Sequence, residues 1–400
     1  MQGCSLECLR HMNLGDRPLL IDVTRLIGRA RKKRMPTGVD RVCLAYIAFF
    51  HHRAQALMQH GAIAVALSPT ASFALFAWLL AWRDGKPHPA LGTTMAWLAR
   101  LPLRPVPEGS WVLNMGHSGL DRRGYGAWMA RKRIRLLVMA HDLIPLTHPQ
   151  FCRPGEDGRH AARVRVILRH AAGIVSNSQH TARVLRHYAQ QWGVTLPPIS
   201  VIPLGANNLR RATPSASHAP LPAPYFLMVG TIEPRKNHRF VLDLWKEWKS
   251  RRADVPLLVV IGQVGWMCGD IQEQFREDAI LKDSVLVLHH CGDDCLWAYL
   301  QGARALLFPS HEEGYGLPLV EALAVGIPVI ASPLPVFREI AGDVPDYIET
   351  SDASAWLAAL SDYSRPDSPM RQGQLERLRH FSPPSWEQHF EQFTEFMNRL

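Results

Sequence analysis

Two glutamates in the second half of the chain are spaced so that they could bind a ligand rich in hydroxyl groups. Glu313 and Glu321 are separated by seven residues within Phe308–Ala331, where an apolar strand pattern leads through a glycine-containing turn into a helix with Pro318 in its first turn. The N–H groups at a helix start bind phosphate or sugar oxygens, and a carboxylate one turn later can accept hydrogen bonds from ribose hydroxyls. Alternatively, both glutamates only stabilise the helix electrostatically or face solvent.

Two basic residues, Arg235 and Lys236, follow another strand pattern in the second half of the chain. Gly230 ends the apolar run Tyr225–Gly230, and Arg235 and Lys236 follow in the loop before a helix. Arginine can donate two hydrogen bonds to phosphate oxygens, and lysine adds a point charge. Cations at a helix start are unfavourable unless an anion lies there, because the helix dipole is positive at that end. The pair therefore predicts a diphosphate site.

A histidine also follows a strand pattern in the first half of the chain. His141 and Asp142 come directly after the apolar run Arg135–Ala140. A lone histidine at such a place is more often a buried structural residue than a ligand-binding one. Both interpretations stay open on the residues alone.

The elements that must position these residues alternate between short apolar strands and helical patterns in both halves. This alternation is typical of parallel, doubly wound sheets. The stretch 206–223 is rich in Pro, Ala and Ser and predicts a linker. We therefore predict an α/β protein with two Rossmann-like domains, 1–205 and 224–384, facing a cleft at the carboxyl ends of their strands, and a helix over 385–400. The run after the first strand, with Gly28 and Arg29–Arg34, is interpreted as a loop.

Composition and length limit the classes of protein. The chain has 400 residues, of which 47% are apolar and 20% charged, so it is too apolar to be disordered. Seven cysteines are too few for a disulfide scaffold and favour a reducing compartment. Residues 1–16 lack an apolar signal region, so we expect a cytoplasmic protein. The apolar stretch Phe73–Trp82 has ten residues, about half of the ~20 that a spanning helix needs, and favours a buried or interfacial helix.

The net charge is divided unevenly along the chain. The whole chain carries +10, but residues 1–210 carry 28 Lys and Arg against 10 Asp and Glu. The remainder is therefore acidic. A basic half indicates an anionic partner, which can be a membrane surface, a nucleic acid or a phosphorylated substrate.

Together the segments resemble one enzyme family. Glu313–Glu321 holds the pattern E-G-x-G-L-P with a second glutamate, and it resembles the retaining glycosyltransferases of the GT-B fold, family 4 (glycosyltransferase group 1), of the polysaccharide-biosynthesis type. Gly230–Asn237 resembles that family's diphosphate-binding segment, and Leu137–Pro145 resembles its His-Asp pair. The resemblance implies an acceptor-side first domain, a nucleotide-sugar-binding second domain, and a last helix that crosses back to the first domain.

The resemblance also implies a role for each matching residue. Arg235 and Lys236 would stabilise the leaving diphosphate. Glu313 would hold the sugar hydroxyls and His141 would contact the sugar. Thr231 stands where some relatives carry arginine, and the loop with Thr37 and Gly38 lacks a double glycine, so that the nearby Arg29–Arg34 is a candidate for binding an anionic acceptor. The residues expected to be catalytic are Glu313, His141, Arg235 and Lys236, and those expected to bind the donor are Gly38, Gly230, Thr231, Arg235, Lys236, Gly314, Tyr315, Gly316, Leu317 and Glu321.

We expect no metal and no cofactor. The chain has no Asp-x-Asp motif, and the cysteine spacing in His289–Cys295 is unusual for structural zinc. The two cations and the helix N-terminus would neutralise the leaving group instead.

The resemblance implies the transfer of a hexose, with retention at the anomeric carbon, from a GDP- or UDP-linked sugar, with mannose as one candidate. The acceptor would be a lipid-linked or polysaccharide glycan in cell-surface glycan biosynthesis. The basic first domain would contact the inner face of the cytoplasmic membrane, and no nucleic acid is expected. Two alternatives stay open: another GT-B enzyme, such as a sugar-nucleotide epimerase or a phosphorylase, and a basic nucleic-acid-binding protein.

Overall fold

The computed structural model describes residues 17–60, 63–98, 104–206, 221, 224–252 and 254–400. These residues form two units. Unit 1 contains the described residues up to Leu146, together with Gly155–Leu204 and Trp386–Leu400. Unit 2 contains Thr147–Pro154 and the described residues of Gly205–Ser385. Residues 1–16 and most of the predicted linker 206–223 lie outside the described residues.

Unit 1 is built on a mixed sheet. Its described strands are β1 Leu19–Asp22, β2 Ala54–His60, β3 Ile63–Ala66, β4 Arg104–Pro105, β5 Trp111–Asn114, β6 Arg135–Ala140, β7 Ala171–Ser176 and β8 Ile199–Val201. Across the sheet their order is β4-β3-β2-β1-β5-β6-β7-β8. All neighbouring pairs are parallel except β2 with β3 and β3 with β4.

Helices connect the strands of unit 1. They are α1 Thr24–Arg31, α2 Gly38–Phe50, α3 Pro69–Arg83, α4 Leu91–Leu98, α5 Tyr125–Arg131, α6 Ile144–Thr147, α7 Glu156–His170 and α8 Gln179–Gln191. The Ser178 hydroxyl accepts a hydrogen bond from the backbone N–H of Thr181 and so caps α8. No helix of the described residues is both long and apolar enough to cross a membrane.

Unit 2 is built on a parallel sheet. Its described strands are β9 Tyr225–Val229, β10 Leu257–Ile261, β11 Val285–Leu288, β12 Ala305–Phe308, β13 Val329–Ala331 and β14 Asp346–Tyr347, in the order β11-β10-β9-β12-β13-β14. Every neighbouring pair is parallel. Its helices are α9 His238–Arg251, α10 Gly269–Glu277, α11 Asp293–Gly302, α12 Leu317–Ala324, α13 Pro335–Ala341, α14 Ala353–Ser364 and α15 Pro369–Leu378.

The central strands are buried on both faces, which explains their continuous apolar runs. All four residues of β1 and all four of β12 are buried. In unit 2, large aromatic side chains fill the space between sheet and helices, with Phe226, Trp245 and Trp356 fully buried. The pattern that predicted parallel sheets therefore reflects a core on each side of each sheet.

The last helix, α16 (Trp386–Arg399), packs within unit 1. The Phe390 ring lies stacked 4.0 Å from the Phe49 ring of α2. His389 is fully enclosed, with Nδ1 2.8 Å from the Pro203 carbonyl oxygen and Nε2 2.9 Å from the Tyr46 hydroxyl. A carbonyl only accepts, so Nδ1 carries the proton and the Tyr46 hydroxyl donates to Nε2.

Two features of unit 1 differ from the sequence-based expectation. The predicted loop after β1 is wrong, because Thr24–Arg31 forms helix α1. The expected sheet was parallel throughout, whereas β2 and β3 form an antiparallel pair with Leu57 opposite Ala66. A short connection joins β2 and β3, and such a connection only permits an antiparallel pair.

Candidate functional site

Glu313 is the centre of a charged cluster in unit 2. It lies in the turn between β12 and α12 and is 7% exposed. Its Oε2 is 2.7 Å from Arg235 Nη1, and its Oε1 is 2.5 Å from Lys236 Nζ. The Ser310 hydroxyl donates a hydrogen bond to Oε1 at 2.9 Å. Burial by itself raises the pKa of Glu313, but the charges of Arg235 and Lys236 outweigh it and lower this pKa to about 2.

Arg235 is held by oxygens from several protein residues. Besides Glu313, its guanidinium donates to the Glu312 carbonyl oxygen at 2.7 Å and to Glu233 Oε1 at 2.6 Å. Glu233 is buried, and burial raises its pKa although the charge of Arg235 opposes this. Glu233 belongs to the segment that resembles the diphosphate-binding loop, yet its contact with Arg235 was not predicted. The two cations and two carboxylates balance in charge, which allows them to be buried together.

Lys236 is placed by a tight turn. Pro234–Lys236 forms one turn of 3-10 helix, and Asn237 ends it in the left-handed region at φ 57°. The Lys236 ammonium lies 4.6 Å above the Phe308 ring, so β12 contacts it from a second side. Burial lowers the pKa of Lys236, and the Glu313 carboxylate opposes that shift.

Glycine is required where the ends of β9 and β10 meet this turn. Gly230 has φ 146°, and a Cβ there would lie 3.2 Å from Lys236 Cε. A Cβ on Gly262 would lie 1.8 Å from the Gly230 carbonyl oxygen, a distance that no side chain allows. A side chain at position 262 would therefore overlap the backbone of Gly230, and one at position 230 would require a strained backbone. Thr231 directly follows Gly230.

The start of α12 contains the other predicted donor-binding residues. Gly316 is the N-cap at φ 108°, and a Cβ there would lie 2.8 Å from the Phe337 ring. Gly314 and Tyr315 are buried in the same turn, and Leu317 is the first residue of the helix. Glu321 is the fifth helical residue and is 3% exposed, so it is not a solvent-facing helix residue. The turn and the helix thus place Glu313 and Glu321 on one continuous strand–turn–helix segment, as their spacing predicted.

A short segment from the first half of the sequence also packs in unit 2. The Phe151 ring is stacked on the His311 ring at 4.9 Å and 3°, and His311 lies in the same turn as Glu313. The Trp266 indole N–H donates to the Phe151 carbonyl oxygen at 2.9 Å. Nothing in the spacing of Pro149–Phe151 indicated this contact.

Two of the predicted site residues, His141 and Gly38, belong to unit 1. His141 lies directly after β6 and is 8% exposed. Its Nε2 is 2.6 Å from the Met115 carbonyl oxygen, and its own carbonyl oxygen accepts from the Asn177 side chain at 2.9 Å. Burial lowers the pKa of His141, although its hydrogen bond to Met115 and the charge of Asp142 oppose the shift. The ring is therefore neutral near pH 7.

Gly38 is the first residue of α2, and the buried carboxylate of Asp40 holds the start of this helix. Asp40 accepts from the Thr37 N–H at 2.8 Å and from the Arg25 side chain at 2.7 Å, and it lies 3.1 Å from Arg29 Nε. Arg29 thus makes contacts within the protein, to Asp40 and to the Met35 carbonyl oxygen. The next four residues of the basic run, 31–34, are exposed.

Two cysteines form a bond that the sequence did not predict. Cys291 and Cys295 are joined by a disulfide between the end of β11 and the first turn of α11. Three other described cysteines, Cys43, Cys152 and Cys268, do not take part in a disulfide. Among the described residues, no three His, Cys, Asp or Glu side chains are arranged to hold a metal ion.

Sequence comparison finds relatives among bacterial mannosyltransferases. The chain is 30% identical over 256 residues to the serotype-specific mannosyltransferase WbdA of Escherichia coli, covering 58% of this chain and 31% of that protein. It is 34% identical over 146 residues to the O-antigen chain mannosyltransferase RfbU of Salmonella typhimurium, covering 36% of this chain and 40% of that protein. The chain thus spans about a third of the length of WbdA and less than half of RfbU.

Structure comparison finds the same two-unit fold in solved proteins. The chain is similar to Anabaena HepE in complex with UDP and glucose, with a TM-score of 0.63 and 14% identity over 98% of this chain and 100% of that chain. It is also similar to the sucrose-phosphate synthase of Thermosynechococcus elongatus, with a TM-score of 0.61 and 17% identity over 96% and 98% of the two chains. The predicted α/β GT-B fold is therefore confirmed.

The family model that matches is described as glycosyl transferases group 1, and it covers residues 210–363. This range contains the cluster of Glu313, Arg235 and Lys236 and the start of α12. The resemblance inferred from these motifs is confirmed. Residues 210–363 therefore match the glycosyl transferases group 1 family, in a chain that has the GT-B fold.

Proposed function

We propose that this protein is a retaining glycosyltransferase that moves a hexose from a nucleotide-diphosphate sugar onto a lipid-linked or polysaccharide acceptor. The observation that carries the proposal is the buried contact of Arg235 and Lys236 with Glu313, next to the N-terminus of α12. Transfer from such a donor needs charge stabilisation for the leaving diphosphate and hydrogen bonds for the sugar and the ribose. These residue types supply both.

Each residue has a defined task in the proposed reaction. Arg235 and Lys236 stabilise the negative charge that develops on the diphosphate when the bond to the anomeric carbon breaks. They are preorganised, because Glu233 and Glu313 fix their positions in a buried turn. A cation that is already fixed needs little reorganisation during the reaction, which is the condition for effective electrostatic catalysis.

Glu313 and Glu321 bind hydroxyl groups in this proposal. Glu313 stays ionised at neutral pH because its pKa is about 2, so it can accept hydrogen bonds from the hexose. Glu321 is buried one helical turn after the glycine-containing turn, and it accepts from the ribose. The N–H groups at the start of α12 bind phosphate oxygens, and His141 contacts the sugar. No metal ion is assigned a role.

The relatives favour mannose as the transferred sugar and O-antigen-type glycans as the product. WbdA and RfbU are both mannosyltransferases, and RfbU and another relative from Escherichia coli act on the O-antigen chain. HepE was crystallised with UDP and glucose, so UDP-linked donors belong in the same test. A panel of GDP- and UDP-linked hexoses with the full-length protein therefore includes every donor that these proteins suggest.

The first experiment is ligand-induced stabilisation followed by a transfer assay. A nucleoside diphosphate that binds only the folded protein raises its melting temperature. We expect one base to stabilise the protein, and expect K236M and E321Q to lose most of this stabilisation. K249M is the matched control, because Lys249 lies at the far end of α9 from this turn. Equal stabilisation of all three variants would contradict the proposed site.

Retention is tested on the product. The anomeric configuration of the transferred hexose is read by NMR from the one-bond coupling between its anomeric carbon and proton, and an α-linked donor should give an α-linked product. An inverted product would exclude the retaining route. A rearranged free sugar nucleotide would indicate an epimerase instead, and a sugar phosphate would indicate a phosphorylase.

We also propose that unit 1 contacts an anionic membrane surface, where a lipid-linked acceptor would lie. The exposed run of residues 31–34 is Arg-Lys-Lys-Arg, and each such cation near an anionic lipid surface contributes about 1 kcal/mol. Sedimentation with vesicles containing phosphatidylglycerol tests this proposal. Binding should fall with salt and fall further when these four residues are changed to glutamine. Binding that is equal on uncharged vesicles would contradict it.

A further inference from the structure

Two histidines form a reciprocal pair of contacts at the carboxyl ends of β5 and β6. The backbone pairing of these strands extends to Asn114 opposite Val138. Beyond it, His117 Nε2 lies 2.6 Å from the Met139 carbonyl oxygen, and His141 Nε2 lies 2.6 Å from the Met115 carbonyl oxygen. Each strand end therefore provides a side chain that binds the backbone of the other. The two side chains continue the pairing where the backbone ladder ends.

The geometry fixes the proton on each ring. A carbonyl oxygen only accepts, so Nε2 of both histidines must donate. A neutral imidazole carries a single N–H, and therefore Nδ1 of His141 is a bare acceptor. No hydrogen bond joins His141 Nδ1 to another of the described residues. The ring can accept a hydrogen bond from a hydroxyl group at this atom and cannot donate one.

His117 has a backbone conformation that is unusual for a side chain. Its φ is 58°, in the left-handed region, where a residue other than glycine is strained by about 1 kcal/mol. Gly116 before it is packed tightly, since a Cβ there would lie 2.9 Å from the Arg25 side chain. Strain of this kind persists when surrounding contacts hold the residue in place, and the contact with Met139 is one of these.

The rings are also close to one another. The His117 and His141 ring centres are 5.5 Å apart, and His160 from α7 lies 6.2 Å from His117 on another side. Burial lowers the pKa of all three imidazoles, and the charges of His141 and His160 lower that of His117 further. His141 is thus kept neutral mainly by its burial.

We propose that His117 is a positioning residue, which holds the end of β6 so that His141 keeps its proton on Nε2 and presents Nδ1 as the acceptor for a hydroxyl group of the donor sugar. The sugar contact rests on the proposed function, whereas the arrangement of the two histidines does not. His117 itself needs no contact with substrate.

The first test reads the tautomer of His141 and needs no activity. Long-range proton–nitrogen NMR of the imidazole rings, assigned with H141N and H117L, distinguishes a protonated nitrogen from a bare one. In the wild type we expect His141 to show a bare Nδ1 near pH 7. In H117L we expect averaged nitrogen shifts, and in H117Q, whose amide can still donate to Met139, we expect the wild-type pattern. An unchanged His141 spectrum in H117L would overturn the proposal.

The second test uses the transfer reaction and a double-mutant cycle. H117L and H141N should each raise the KM for the nucleotide sugar about tenfold, as expected for one lost hydrogen bond, while binding of the nucleoside diphosphate alone stays unchanged. The double variant should be no worse than H141N, because His117 acts through His141. Additive losses, or an equal loss of nucleoside diphosphate binding, would overturn the proposal.

Controls separate this inference from folding and from the proposed function. H187Q changes an exposed histidine of α8 and should leave both readouts at wild-type values. If no nucleotide sugar is a substrate, the proposed function fails, and the NMR test still decides whether His117 sets the tautomer of His141. If transfer occurs but the NMR spectrum of His141 is the same in H117L and in the wild type, only this inference fails.

Discussion

Replacing Glu313 with glutamine should destabilise unit 2 by about 3 kcal/mol at pH 7. The contacts with Arg235 and Lys236 lower the pKa of Glu313 from 4.5 to about 2, and each unit of pKa corresponds to 1.36 kcal/mol. Glutamine resembles the protonated glutamic acid, so E313Q loses the stabilisation that the ionised carboxylate provides. It also leaves two buried cations without their shared carboxylate. The stabilisation depends on pH: it is complete above 4.5 and is lost as the pH falls through 4.5 toward 2.

The measurement is native-state hydrogen exchange, read by mass spectrometry on peptides from β9 and β12. These strands are buried in unit 2, so their exchange reports its unfolding. E376Q is the matched control, since Glu376 makes an exposed ion pair with Arg379 and such pairs contribute little. If E313Q and E376Q have the same free energy of unfolding at pH 7, the cluster is not held by its charges and the reasoning is refuted.

Three further predictions concern ligand binding, backbone packing and pH. E313Q should bind a nucleoside diphosphate more weakly than the wild type in calorimetry, because Glu313 helps to fix the positions of both cations, whereas binding at least as tight would show that their other contacts position them without it. G262A should lower the melting temperature strongly, because its Cβ would lie 1.8 Å from the Gly230 carbonyl oxygen. The control G269A should change the melting temperature little, because a Cβ there has no atom within 4 Å. Equal effects of the two variants would contradict this packing. Burial lowers the pKa of His389 to about 4, so unit 1 should lose about 3 kcal/mol as the pH falls from 6.5 to 4. H389Q should reduce this dependence of the free energy of unfolding on pH, measured by urea titrations at several pH values with a signal from α16. An identical pH dependence in H389Q would assign the loss to other groups.

The fold of unit 2 could be predicted from the sequence because its strands are continuous apolar runs. Leu257–Ile261 and Ala305–Phe308 are buried on both faces, and such strands differ clearly from the helices around them. In unit 1 the edge of the sheet was missed. Ala54–His60 contains Gln55 and Gln59 within the strand, so its apolar pattern is interrupted.

The candidate site was predicted in part for a similar reason. Glu313, Arg235 and Lys236 were found because the motifs that contain them are contiguous in sequence. The contacts of Glu233, Ser310 and Phe151 depend on how separate segments meet, and neither composition nor spacing encodes that. His117 was missed because its strain and its bond to Met139 exist only in the folded chain.

The path of the chain through the two units has a consequence for dissecting the protein. Residues 147–154 pack with unit 2 although unit 1 residues flank them on both sides, and residues 386–400 pack with unit 1 although unit 2 residues precede them. A cut in the stretch 207–220 would therefore not release two self-sufficient pieces. The amino-terminal piece would retain the aromatic ring that covers His311, and the carboxyl-terminal piece would retain the phenylalanines that cover Tyr46. Each half of the sequence thus contributes side chains that pack in the unit formed mainly by the other half.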